Sequence, residues 1–149
     1  MFDALARLLS APQPQPAPDL RLSVAVLLLE AARQDDNFDA RERAVIMALL
    51  ARRFDLSPEE CEKLIAAAQA HAAELVQLHG HTSAVAAAMS PEERVELIEM
   101  LWGVAYADGV LDPEEDHLIR RIGKLVYVED RERVHARQRV LARMKQDGH

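Results

Sequence analysis

Four times in this chain a short polar residue is followed, three positions later, by glutamate at the head of an apolar-periodic stretch. These are Asp39-Ala-Arg-Glu42, Ser57-Pro-Glu-Glu60, Ser90-Pro-Glu-Glu93 and Asp112-Pro-Glu-Glu115. The spacing lets the first side chain accept a backbone N–H one turn into a helix, while the glutamate reaches back to the N–H of the capping residue. Three of the four carry proline at the first helical position, where its missing N–H has no intrahelical partner to lose. Between these starts the apolar residues recur at helical spacing, as in Val24, Leu27, Leu28 and Ala31, or Val45, Ile46, Leu49 and Leu50. No segment alternates with the period of two that a strand needs. The chain is therefore predicted to be all-α. Helices are expected near 2–9, 20–35, 40–54, 58–78, 91–107, 113–127 and 131–146, with the alanine-rich stretch 82–89 as a further short one, seven to eight in all.

Composition agrees with closely packed helices. Half of the 149 residues are apolar but only 4% are aromatic, so alanine and leucine must supply the core. A chain of this length can bury about 70% of its unfolded surface as one domain without staples. One cysteine, Cys61, excludes a disulfide framework within the chain. Its place in the first turn of a helix favours a thiolate, but Glu59, Glu60 and Glu62 oppose that, and an ordinary packed thiol is expected. No apolar run approaches the ~20 residues of a membrane span. The N-terminus lacks a signal-peptide pattern, and cytoplasmic location is the default expectation. The net charge of −7 argues against nucleic-acid binding, which needs concentrated basic surface. Residues 129–149 are the local exception, with six Lys/Arg against four acids, expected to form a solvated helix face or else a surface for an acidic partner.

The N-terminal region is organised differently. Phe2, Leu5, Leu8 and Leu9 fall on one face of a short helix, and Pro12, Pro14, Pro16 and Pro18 follow at every second position. The prolines read as an extended tether. Residues 1–18 are thus a short helix and linker, and 19–149 a helical domain. The short helix either packs back on that domain or is presented to a partner or a membrane surface.

Within the domain an acidic pattern occurs twice. Asp35, Asp39 and Glu42 recur as Asp108, Asp112 and Glu115, each pair 73 residues apart. The same offset pairs Pro18 with Pro91, Arg21 with Arg94, Leu28 with Leu101, Ala32 with Ala105, Ile46 with Ile119 and Ser57 with Asp130. An internal duplication of a helix hairpin is expected, over about 18–60 and 91–133, with the 58–78 helix between the copies and the hairpins packed face to face. Capping explains Asp39, Glu42, Asp112 and Glu115. It does not explain Asp35 and Asp108, which follow a preceding helix, where the dipole disfavours a carboxylate by about 0.3–1 kcal/mol. An Asp turn that fixes the bend is one account of them. The other is a cation, or a basic group on a partner. Three carboxylates around one turn form a hard-oxygen environment suited to Ca2+ or Mg2+. Asp108-Gly-Val-Leu-Asp-Pro-Glu-Glu115 does match the second half of an EF-hand loop. The first half is missing, because Val104 and Tyr106 stand where two aspartates would ligate, and Ala31 and Arg33 stand there in the first copy.

Other chemistry is sparse. His71 and His79 are about two turns apart and do not converge on one ion. His79-Gly80-His81 reads as a solvated stretch where helix gives way to loop, and His117 lies near the second acidic corner. Trp102 follows Leu97, Ile98 and Leu101 and is expected in the core between the hairpins. No nucleophile–base set and no phosphate-cradling glycine loop is present.

The frames Leu27-Leu-Leu-Glu-Ala-Ala-Arg-Gln-Asp-Asp-Asn-Phe-Asp39, Leu56-Ser-Pro-Glu-Glu60 and Ser90-Pro-Glu-Glu-Arg-Val-Glu-Leu-Ile-Glu-Met-Leu-Trp-Gly-Val-Ala-Tyr-Ala-Asp-Gly-Val-Leu-Asp112 resemble the TerB-like tellurite-resistance family over residues 20–145. The resemblance implies a duplicated all-helical bundle with an acidic surface. It implies a non-enzymatic scaffold role, with protein partners, in the response to tellurite and other stress, near the inner face of the membrane. It also implies metal binding at Asp35, Asp39, Glu42, Asp108, Asp112 and Glu115, so that a calcium or other divalent-cation sensor is an alternative reading. A docking module of the kind attached to J-domain co-chaperones is another. Two departures stand out: Asp36 and Tyr127 occupy positions where the family commonly has glycine.

Overall fold

The computed structural model describes residues 19–32, 40–72, 77–107, 109 and 111–147. The short N-terminal helix, its proline tether, Asp35, Asp39 and Asp108 lie outside the described residues. Seven α-helices and no strand occur among those described: α1 (Leu20–Ala32), α2 (Ala40–Phe54), α3 (Pro58–Ala72), α4 (Gln77–Ala88), α5 (Pro91–Ala105), α6 (Pro113–Leu125) and α7 (Asp130–Asp147).

The bundle is built around α1. Every residue from Ser23 to Leu29 is buried, and so are Ala31 and Ala32. A helix apolar on all sides belongs at the centre of a bundle. Accordingly α1 packs against α2, α3, α4, α5 and α6. Its buried leucines, Leu27, Leu28 and Leu29, each contribute about 1.5–3 kcal/mol by leaving water. The other helices bury one face each. In α6, for example, Ile119 and Ile122 face the core while Arg120 and Arg121 face solvent.

Residues 73 apart occupy matching environments. Leu28 and Leu101 are both fully buried, Ile46 and Ile119 likewise, and Ala32 and Ala105 are 1% and 2% exposed. The matching extends to a third helix. Just as α3 packs on both α1 and α2, α7 packs on both α5 and α6. The contacts of α3 within the first half thus parallel those of α7 within the second, and among the described helices only α4 has no counterpart.

One boundary differs from expectation. The helix expected over 58–78 is described as Pro58–Ala72, and residues 77–78 belong to α4, which starts earlier than the anticipated 82–89 segment. Gly80 therefore lies inside a helix. Thr82 and Val85 are buried beside His81, so tertiary packing outweighs the ~1 kcal/mol by which glycine weakens a helix.

The helix ends keep the anticipated chemistry. At Ser57 and Ser90 the hydroxyl accepts the N–H of Glu60 or Glu93 at 3.2 Å, and the glutamate accepts the serine N–H at 3.0 Å. At the far end of α6, Tyr127 adopts φ +62° and is 77% exposed. The Val128 N–H reaches Gly123 O at 2.8 Å and the Tyr127 N–H reaches Lys124 O at 3.3 Å, the paired bonds of a Schellman end. Tyrosine holds the left-handed position that glycine would take without strain.

Candidate functional site

The second acidic corner is a turn between two helices that both pack on the core. α5 ends as the Tyr106 N–H bonds Trp102 O. The Ala107 N–H then bonds Val104 O at 3.1 Å, and the Gly109 N–H bonds Tyr106 O at 2.9 Å. Gly109 has φ +84°, a left-handed conformation for which glycine is the favoured residue, while no atom lies close enough to exclude a Cβ. Leu111 packs on the core, and Asp112 caps α6. Asp112 Oδ1 accepts the Glu114 N–H at 2.8 Å, and Glu115 Oε1 accepts the Asp112 N–H at 3.2 Å.

The capping expectation therefore holds for Asp112 and Glu115, but capping does not account for where Glu115 sits. Its residue is 3% exposed, and Glu42, the equivalent residue of the first corner, is also 3% exposed. Glu60 closes the same kind of box at the surface, and the Glu93 side chain keeps 40% of its exposure. Both of those carboxyls are held below the usual range, first by the hydrogen bond from the serine backbone and then by the serine side chain. Glu93 is held down further by Arg53, which pairs with it across the α2–α5 interface. The sequence of residues 108–116 holds five acidic residues and no lysine or arginine. Among the described residues, no three His, Cys, Asp or Glu side chains are placed to hold a metal ion. His117 is exposed on α6.

Histidine was misjudged at one position. His81, expected in a solvated loop, is fully buried in α4. Its Nδ1 lies 2.9 Å from Ser23 Oγ, which gives the one buried polar side chain of α1 a partner. Its Nε2 is buried without a hydrogen-bond partner. Burial, and then the charge of His71, push the His81 pKa below its ordinary value of 6.5. The His71 ring stands edge-on to it at 6.0 Å, so these two histidines approach although they are ten residues apart on different helices. His79 is exposed, as expected. Cys61 is buried, and burial raises its thiol pKa, with Glu60 adding to the effect. It is a packed thiol.

Trp102 is in the core, and it is seated against α7 as well as against its own hairpin. Its Nε1 donates to Arg133 O at 3.2 Å. The Arg137 guanidinium lies over both Trp102 and Tyr106, 5.6 and 5.8 Å from the ring centres, and donates to the Tyr106 hydroxyl at 2.7 Å. Arg139 and Arg143 both approach Glu99 of α5. The basic helix is consequently not a merely solvated face. Four of its arginines reach inward to α5 or are themselves buried, as Arg133 is at 7%.

An open groove of about 650 Å³ separates α2 from α7, with α5 as its floor. Leu49, Met100, Gly103, Val140 and Met144 line it together with Arg52, Arg53, Glu96, Glu99 and Arg143, so the lining is half apolar and half charged.

Comparison with known families agrees with this architecture. The model of the family described as "Tellurite resistance protein TerB" matches residues 21–138, and the chain belongs to that family. No curated protein and no solved structure matches it significantly. No helix among the described residues is long and apolar enough to cross a membrane.

Proposed function

We propose that this chain is a non-enzymatic docking module of a tellurite or general chemical-stress response, working in the cytoplasm and engaging a basic group of a protein partner through its two acidic corners. The observation that carries this reading is the burial of Glu42 and Glu115, each 3% exposed. A helix cap contributes about 1 kcal/mol and works with its glutamate in water, as at Glu60. Taking a carboxylate out of water costs several kcal/mol before its hydrogen bonds offset that. Burial at both equivalent positions therefore serves a purpose beyond starting a helix. It fixes the shape of a corner that also carries Asp112, Glu114 and Asp116.

Membership of the tellurite-resistance family supports the stress-response part of the reading. The test is survival in tellurite of cells lacking the protein, complemented with the wild type or with an Asp35→Asn/Asp108→Asn variant. Rescue by the wild type and loss of rescue by the variant, at equal thermal stability of the two proteins, is the expected result. If deletion leaves tellurite survival unchanged, the stress assignment fails. A calcium sensor is the second reading, favoured by the hard-oxygen character of the corners. Calorimetric titration with calcium decides it: binding that vanishes in the same variant supports the sensor, and absence of heat at millimolar calcium removes it.

A further inference from the structure

We propose that residues 2–9 of this chain dock, as a helix, into the groove between α2 and α7. The proposal is independent of the acidic corners.

The groove is open to solvent between α2 and α7 and is not an enclosed packing void. Its floor contains an unexplained residue. Gly103 lies near the end of α5, where glycine weakens the helix by about 0.5–1 kcal/mol relative to alanine. No described neighbour requires that sacrifice. A Cβ at Gly103 would meet only Leu49 Cδ1, at the ordinary distance of 3.9 Å. A missing side chain on the floor of an open groove suits an occupant that approaches the backbone closely.

The occupant is argued from where the described chain begins. α1 starts at Leu20, and the Arg21 guanidinium lies 6.0 Å from the Phe54 ring centre, with the guanidinium of Arg53 at 5.5 Å from the same ring. Arg53 lines the groove, so α1 begins beside one end of it. Residues 10–18, with their four prolines, span roughly 28 Å if extended at about 3.1 Å per residue. A helix over 2–9 is only about 12 Å long. It carries Phe2, Leu5, Leu8 and Leu9 on one face and one charge of each sign, Asp3 and Arg7. That pattern matches a lining in which Leu49, Met100, Val140 and Met144 alternate with arginines and glutamates. A tether this short also gives the segment a millimolar effective concentration, which favours it over the same segment of a second copy.

The full-length protein carries its own probe, because trypsin cleaves after Arg7. Docking predicts slow cleavage there in the wild type and faster cleavage, by at least about tenfold, in Gly103→Leu, which fills the groove without touching the segment. Equal, fast cleavage in both overturns the proposal. So does protection that disappears on dilution, which assigns the groove to a second copy, or protection that appears only with phosphatidylglycerol vesicles, which assigns the segment to a membrane. A second measurement avoids any folding defect in the groove variant. In full-length Phe2→Ser/Leu5→Ser, the methyl NMR signals of Met100 and Met144 are expected to shift while those of Met47 and Met89 stay in place. Unmoved Met100 and Met144 signals contradict docking.

Discussion

Glu60 and Glu93 close capping boxes at the surface, whereas Glu115 closes the same box from a buried position, and Glu42 is buried to the same degree. The local motif is shared, so the difference does not come from helix initiation. It comes from what surrounds the box. The serine boxes begin α3 and α5, whose first turns face water, and there the carboxyl needs only the serine and, at Glu93, an arginine. Glu42 and Glu115 lie in the first turns of α2 and α6, and there the glutamate is buried instead. One four-residue pattern thus gives a disposable cap in one setting and a fixed, desolvated carboxylate in the other.

Truncation separates the two settings most sharply. Glu115→Ala and Glu42→Ala are expected to cost about 2–3 kcal/mol each, because each empties a buried position, and at Glu115 the Asp112 N–H also loses its acceptor. Glu60→Ala is expected to cost no more than about 1 kcal/mol. Urea unfolding midpoints check this, and equal losses at Glu60 and Glu115 break the comparison.

The left-handed residues sharpen it at a smaller scale. Gly109 at φ +84° and Tyr127 at φ +62° bracket α6. Gly109→Ala is expected to destabilise by about 1 kcal/mol, through backbone strain alone, since space for the Cβ exists. Tyr127→Gly is expected to stabilise by about 1 kcal/mol, reduced by the extra freedom glycine gives the unfolded chain. Thermal midpoints moving in opposite directions bear this out. A loss of stability in Tyr127→Gly contradicts it.

The pH dependence gives the smallest and most specific contrast. His81 has a folded pKa below its ordinary 6.5, so the unfolded chain binds the proton more readily than the folded one. Its contribution is complete above pH 6.5 and declines as pH falls from there toward the lowered folded value. His81→Gln is expected to flatten that slope. Glu60 and Glu93 are also lowered, and their small, solvent-screened contributions persist above the ordinary carboxyl value of 4.5 and are lost as pH falls through their folded values. A stability profile of the wild type that is flat between pH 7 and 5 contradicts the burial of His81.

Much of the fold was legible because helix starts are local. Ser57, Ser90 and Asp112 announce α3, α5 and α6 through side chains within three residues of the cap. The hidden parts were those decided by tertiary contacts. Gly80 and two flanking histidines resemble a helix end, and the burial of His81, Thr82 and Val85, with His81 bonded to Ser23 of α1, keeps α4 continuous there. The inward use of Arg133 and Arg137 was equally invisible, because a guanidinium over Trp102 and Tyr106 gives the same helical sequence pattern as one in water. At the acidic corners the residue types were readable and the capping geometry of Asp112 and Glu115 followed. Their burial did not follow, since Glu60 and Glu115 stand in the same Pro-Glu-Glu context. A signal was nevertheless available: the 73-residue offset groups Glu42 with Glu115 and leaves the serine boxes outside the pair.

The most direct test substitutes glutamine at Glu42, Glu60, Glu93 and Glu115 one at a time and measures unfolding midpoint and tellurite survival on the same four proteins. Glutamine can still close a capping box, so helix initiation is retained while the charge is removed. The expected result is that Glu60→Gln and Glu93→Gln survive as the wild type does, while Glu42→Gln and Glu115→Gln lose resistance beyond what their stability explains. Survival that follows stability alone across all four would contradict a functional role for the acidic corners.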